Sequence, residues 1–380
     1  KYGLHEIEKN VPFTPALNRK KFENEKGYRK AVKDFGFTWA KNIYWDNTKA
    51  PFQSHNPEWT AAAAVEFIER HNQEPFYLHY CTTLLHGPSG SWHKSLDKPR
   101  VTGEGIIDAD LNVLPSRGSV MKRIEQAGLT SNQAGYLWMD DSLGLILNKL
   151  DELKLAQNTI VLFVADHGSA HKGSLYKARG TEVPCIMRWP AGMKAGVRSD
   201  ELIQNTDFVP TWFELAGVKK PASYRMDGVS LTPLFQAPHE PVREHVYAEI
   251  GAARSIKTKT HSYIALRYTQ EQVAGVQKRQ RRELKALTGL SGGVSRSIAT
   301  HPHAYTGDQL YDLNRDPDAQ NNLADHKRHA GTLAQMKQKL AAELKRFTAR
   351  PYGEFVPGGK ALAGGGDDKV FEILRQAAVD

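Results

Sequence analysis

Apolar positions first fall into register at residues 56–72. Asn56 stands where an N-cap belongs, Pro57 opens the first turn, and Ala62, Val65, Phe67 and Ile68 share one side, so the pattern predicts a helix closed by His71-Asn72. Residues 76–83 are rich in aromatic and β-branched side chains and predict a strand. That strand runs into the turn Leu84-Leu85-His86-Gly87-Pro88. Residues 89–129 are polar and predict a loop. Beyond them Tyr136, Met139, Leu143, Leu147, Leu150 and Leu153 recur at three- and four-residue steps, which predicts a second helix. Residues 159–165 form a continuous apolar run of strand length, the signature of a strand covered on both faces at the centre of a parallel sheet. A further strand is expected at 183–188, and a helix at 207–216 capped by Thr206 and stopped by Gly217. The first fifty residues are poorly periodic and predict no element.

Alternating strands and helices argue for an α/β domain with a largely parallel sheet flanked by helices. After about Phe235 the texture changes to short β-like pieces, such as 263–268, followed by an amphipathic helix at 330–347. The expected organisation is therefore a large α/β domain over residues 1–235, a smaller C-terminal α+β subdomain over 236–348, and a flexible Gly-rich tail over 349–380.

Hydrophobic residues make up 40% of the chain and charged residues 24%, an ordinary globular balance. No stretch is apolar and long enough to span a bilayer. No leader segment is visible at the start, and Lys1 is not an initiator methionine, so the N-terminus is expected to lie upstream. The net charge of +9 favours anionic partners, with nucleic acid, acidic polysaccharide and sulfated ligands all compatible. No nucleic-acid module signature accompanies it. The densest basic cluster, Lys278, Arg279, Arg281, Arg282 and Lys285, reads as a solvated helix face in preference to a binding patch. Cys81 and Cys185 each sit in an apolar run and are expected as buried free thiols; two cysteines cannot build a disulfide framework or a structural zinc site.

Ligands of open parallel sheets bind beyond the carboxyl ends of the strands. Two polar clusters fall there: His86, just past the strand expected at 76–83, and Asp166-His167-Gly168, just past the one at 159–165. A carboxylate at Asp166 suits a divalent cation clamping an anionic ester, with His167 as a second ligand. Imidazole suits softer ions better than calcium, so this pair leaves the metal open. The ammonium of Lys172 could hold a sulfuryl or phosphoryl oxygen, and His86 could protonate a leaving alkoxide. Singly, each is as compatible with turn chemistry or a solvated side chain; their joint placement at one sheet edge points to a site.

In order along the chain, these segments resemble the sulfatases of the alkaline-phosphatase-like superfamily. Residues 159–190 resemble the family's second signature region: apolar strand, Asp-His-Gly, Lys172 before Leu175-Tyr176, Gly180-Thr181-Glu182-Val183-Pro184, then Arg188-Trp189-Pro190. Residues 76–88 resemble its strand ending in Thr-Thr-x-x-His-Gly-Pro. Thr206-Asp207, Pro210-Thr211, Ala216-Gly217 and residues 227–231 resemble the close of its large domain. Gln309-Leu310-Tyr311-Asp312-Leu313, Asp316-Pro317 and Asn321-Asn322-Leu323 resemble its C-terminal pattern. The resemblance implies calcium, or another divalent cation, held by Asp166 and His167. It implies substrate contacts from His86 and Lys172, and from Lys1 if Lys1-Tyr2-Gly3 is the end of the family's Gly-Lys-Trp/Tyr motif. It also implies a formylglycine nucleophile made from Cys or Ser. Lys177 stands where many members carry Glu.

No Cys or Ser followed by x-Pro-x-Arg precedes His86, so the nucleophile is expected in a segment outside this chain, without which the chain is expected to be inactive. Pro115-Ser116-Arg117 imitates the motif but carries Val113 at the nucleophile's place, and reads as loop. Asp140-Asp141 imitates the family's early metal pair but lies inside a helical pattern, where a helix-surface or helix–loop contact is expected. The implied activity is hydrolysis of an aryl or carbohydrate sulfate ester. The alternatives are a phosphonate or phosphodiester hydrolase of the same superfamily, and a non-catalytic protein that binds sulfated glycans. Partners are expected to be small-molecule or glycan sulfate esters rather than nucleic acid or membrane. A periplasmic or secreted location follows from the family alone.

Overall fold

The computed structural model describes residues 10–44, 49–86, 92–168, 174–176, 180–267 and 299–347. The basic cluster at 278–285 and the tail at 349–380 lie outside them. The chain divides into two compact units, Lys1–Thr159 and Ile160–Asp380.

The first unit is mainly helical. α1 (Pro15–Asp34) begins at Thr14, whose hydroxyl accepts from Leu17 N at 3.1 Å. This helix falls in the stretch whose pattern predicts nothing, because its buried residues are Lys21, Glu25 and Tyr28 rather than an apolar stripe. Glu25 is fully buried and is held by Arg29 at 2.5 Å and Ile43 N at 3.1 Å. α2 (Pro57–Arg70) starts and stops where the sequence places it, with Asn56 Oδ1 accepting from Trp59 N at 3.0 Å and His71 as C-cap.

The polar stretch after residue 89 is more ordered than expected. It holds α3 (His93–Leu96), the short antiparallel pair β1 (Val101–Thr102) and β2 (Gly105–Ile106), and α4 (Arg117–Gln126). Polarity misleads here because these elements bury few residues each: α4 buries only Val120 and Ile124. α5 (Ala134–Glu152) realises the predicted helix and packs on α2. Leu84, Val120, Ile124, Ala134 and Trp138 form a common core. Residues 76–83 carry no strand; exposure alternates along them, an extended segment without a ladder partner among the described residues.

In the second unit β3 (Val161–Val164) pairs with β4 (Cys185–Arg188), and the pairing is antiparallel, from Val161↔Arg188 to Val164↔Cys185. Every strand pair among the described residues is antiparallel, which corrects the expected parallel arrangement of these segments. An apolar run fixes that both faces of a strand suit burial, not which neighbour it takes. The β3–β4 ribbon is in fact half exposed, with Ile186 at 64%. The cysteines are accordingly exposed rather than buried: Cys185 lies on this ribbon and Cys81 on the segment 76–83. α6 (Phe208–Leu215) is preceded by a single 3-10 turn over Asn205–Asp207. Thr206 is not its cap; Gln204 and Asp207 form a reciprocal capping box, Asp207 accepting from Gln204 N at 2.8 Å. Gly217, at φ +64°, ends the helix as expected.

After α7 (Thr232–Gln236) come β5 (Val246–Ile250), β6 (Ala253–Lys257), β7 (His261–Leu266) and β8 (Asp308–Asp312), one antiparallel sheet in sequence order. α8 (Ala330–Leu344) packs Met336 and Leu340 against Ile256, Tyr263, Ala265 and Leu310. Asn322 completes the ladder: its Oδ1 accepts from Leu310 N and its Nδ2 donates to Asp308 O, both at 2.9 Å.

Candidate functional site

β3 delivers Asp166 and His167 onto an exposed turn. The Asp166 side chain is 87% exposed and that of His167 28%, and Nε2 of the imidazole lies 3.4 Å from Oδ2 of the carboxylate. His167 Nδ1 lies 3.1 Å from Gly168 O, so the tautomer that donates there leaves the Nε2 lone pair on the carboxylate's side. The turn is tied back across the segment that follows. Ala165 N donates to Pro184 O at 3.2 Å, and Gly168 N to Gly180 O at 3.0 Å. Thr181 N and Oγ1 donate to Tyr176 O at 3.0 and 3.1 Å, and Lys257 donates to Thr181 Oγ1.

Two donors on one cation, each at the 2.3–2.6 Å usual for calcium and a right angle apart, stand about 3.3–3.7 Å from each other. The Asp166–His167 separation of 3.4 Å falls in that range. The pair therefore fits as two neighbouring ligands of a divalent cation. Among the described residues no group of three or more His, Cys, Asp or Glu is gathered for a metal.

His86 is placed by the first unit. Its backbone N donates to Thr83 O at 3.0 Å, which forms the turn, and its side chain is exposed. Thr83 Oγ1 lies 2.8 Å from Nδ1 of His55, a fully buried histidine whose backbone N donates to Ser95 Oγ at 3.0 Å. Sequence reading passes over His55, whose only mark is its place before the Asn56-Pro57 cap. Lys172, Lys1 and Lys177 lie outside the described residues.

Both imitators have structural partners. Ser116 is the N-cap of α4 rather than loop, and Arg117 grips Glu58 with two hydrogen bonds of 2.9 and 2.7 Å and donates to Ser95 O. Asp141 receives Arg123 in the same bidentate manner, at 2.8 and 2.6 Å. The carboxylate of the Thr206-Asp207 motif is also architectural, accepting from Gln204 N, Val229 N and Arg243. Gly228 beside it has no room for a side chain: a Cβ would stand 2.0 Å from Thr206 O. Burial pushes the Tyr176 phenol up, so it remains a donor across the physiological range.

A family model described as Sulfatase matches residues 16–218, and one described as N-sulphoglucosamine sulphohydrolase, C-terminal, matches residues 165–276. An ulvan-active sulfatase of Formosa agariphila is 32% identical over 206 residues, 52% of this chain and 38% of its own. An N-acetylgalactosamine-6-O-sulfatase of Bacteroides thetaiotaomicron is 25% identical over 303 residues, 73% of this chain and 48% of its own. The chain thus spans less than half the length of these curated relatives. The solved structure of Ps i-CgsB aligns over 94% of this chain and 69% of its own, with TM-score 0.52 and 16% identity. That likeness shows the alkaline-phosphatase-like α/β fold. Since the first family model covers more than half of its residues, the chain belongs to the sulfatase family.

Proposed function

We propose that the protein is a sulfuric ester hydrolase that removes sulfate from an aryl or carbohydrate sulfate ester. The observation that carries this reading is the Asp166–His167 pair, a carboxylate and an imidazole 3.4 Å apart at the end of β3, inside the region matched by the family model.

Sulfatases are generally metal-dependent. A divalent cation, calcium in this proposal, would be held by Asp166 and His167 and would neutralise charge on the ester oxygens. Lys172, with Lys1, is assigned to the sulfate oxygens, where an ammonium opposes charge developing in the transition state. His86 is assigned to the leaving oxygen, to which it delivers a proton. The nucleophile of this proposal is a formylglycine. Neither cysteine of this chain is followed by x-Pro-x-Arg, so the attacking step is not assigned to Cys81 or Cys185. Residues 1–235 would carry the reaction and 236–348 would form a supporting subdomain. Export to the periplasm or beyond the cell belongs to the same proposal; no helix of the described residues is long and apolar enough to cross a membrane.

The test uses the gene product that contains this sequence, assayed on the sulfate and phosphate esters of one phenol. Sulfate release is expected to be the faster reaction, and Asp166→Asn to lower it at least about a hundredfold through weakened cation binding. Faster turnover of the phosphate ester would transfer the assignment to a phosphoryl hydrolase. Binding of sulfated glycans with no turnover of either ester would leave a binding protein.

A further inference from the structure

Tyr176 is set into the small sheet more deeply than a loop residue requires. Its ring stacks on His301 with centroids 3.7 Å apart and planes 13° from parallel. Its phenol donates to Gln309 Oε1 at 2.8 Å, and Tyr311 donates to the same oxygen at 2.9 Å. Gln309 Nε2 in turn donates to Thr306 O at 3.0 Å. All four side chains are buried: Tyr176 at 5%, His301 at 4%, and Gln309 and Tyr311 at 0%. This cluster is joined to the Asp166-His167 turn by a continuous path. Tyr176 O receives both donors of Thr181, the next residue back is Gly180, and Gly180 O receives Gly168 N, the residue after His167.

We propose that His301 and Gln309 are positioning residues that, through Tyr176, hold the segment returning from the Asp166–His167 pair and so set the geometry of that pair. The cluster fixes Tyr176 in two directions at once. The His301 ring sets the plane of the phenol, and the Gln309 oxygen sets its reach. Gln309 can do this because its carbonyl faces two hydroxyl donors while its amide is engaged by Thr306. A side chain so constrained passes its position to the Tyr176 carbonyl, and the two hydrogen bonds from Thr181 carry it to the Gly180–Gly168 bond. The small sheet thereby acts on the cation pair without contributing a ligand. This rests on the metal reading given above.

The test follows two quantities in the full chain: hydrogen exchange at the Gly168 and Thr181 amides, and calcium binding by titration with calcium chloride. His301→Ala removes the stack, His301→Phe keeps a flat ring, and Tyr176→Phe keeps the stack but removes the donor to Gln309. His301→Ala and Tyr176→Phe are each expected to speed exchange at both amides and to weaken calcium binding by about tenfold or more. His301→Phe is expected to restore both. Arg117→Ala, whose partners Glu58, Ser95 and Trp138 all belong to the first unit, is expected to lower stability and to leave exchange at these amides unchanged under native conditions. Wild-type exchange and calcium affinity in His301→Ala and Tyr176→Phe would overturn the proposal. Calcium binding that Asp166→Asn leaves unaltered would instead overturn the metal assignment; in that event, wild-type protection of Gly168 and Thr181 in His301→Ala would refute the positioning role on its own.

Discussion

Arg117 shows how far one residue's meaning depends on its partner. By sequence it belongs to an imitation of a nucleophile motif. In the fold its guanidinium lies over Trp138 at 4.8 Å and meets Glu58, which also accepts from Trp138 Nε1 at 3.2 Å. The Arg117 side chain is 12% exposed and that of Glu58 5%. Removing one partner of such a pair strands a buried charge, at a cost of about 3–5 kcal/mol. Arg117→Ala is expected to fall in that range in urea unfolding. Lys30→Ala, which breaks a pair exposed at 77% and 61%, is expected to change stability by less than about 1 kcal/mol. Equal effects of the two would refute the buried-pair account. The contact between Asp166 and His167 was legible, because two adjacent residues at the end of an apolar run need no distant partner to meet. The sequence hid His55, Glu58 and Arg117, whose roles exist only once distant segments have met.

Among the elements, the two capped or periodic helices were legible in place: Asn56 and Pro57 start α2 where expected, and α5 forms over its periodic run, although the face it buries is Ala134, Trp138, Ser142, Ile146 and Leu150 rather than the stripe from Tyr136 to Leu153. α1 was not, because Glu25 is buried by its ion pair with Arg29 and Lys21 lies over the ring of Phe52, neither of which leaves an apolar stripe in the sequence. β3 was legible as a strand but not in its pairing, since ladder partners lie outside any local window. The small sheet and α8 are joined by a polar link as well as an apolar core. Asp308 on β8 accepts from Lys337 of α8 at 2.6 Å, from Arg267 at 2.7 Å and from Tyr263 at 2.7 Å. Burial pulls this carboxyl upward, but the hydrogen bonds from Lys337 and Arg267, with the charge of Arg267, outweigh it and hold the group below the usual aspartate range. A carboxyl depressed on folding contributes stability above its unfolded pKa of about 3.9, and that contribution disappears as pH falls through the folded value. Asp308→Asn is therefore expected to be less stable than wild type at pH 7. The gap in urea midpoints is expected to narrow as pH is lowered below about 4. A gap that is constant from pH 7 to pH 3 would show that the charge of Asp308 is not what the asparagine removes.

For the whole molecule, under the proposed function, the net charge of +9 would bear on which sulfate esters are attracted rather than on how any one is cleaved. A small aryl sulfate brings a single charge to one site, so most of its electrostatic attraction comes from groups in direct contact, where screening is weak. A sulfated polysaccharide presents many charges along its length, and its attraction is summed over basic side chains well away from that site. Those distant contributions fade as the screening length shortens from about 10 Å at 0.1 M salt to about 3 Å at 1 M. If the basic surface serves to recruit a polymeric substrate, raising sodium chloride from 0.1 M to 1 M is expected to weaken polysaccharide binding by about tenfold or more, and aryl sulfate binding by only about two- to threefold. Titration of one protein sample with both ligands at the two salt concentrations makes the comparison, because any general effect of salt on the fold enters both alike. Polysaccharide binding that survives high salt unchanged would show that recognition is carried by local hydrogen bonds and packing, and that the positive charge has no part in choosing the substrate.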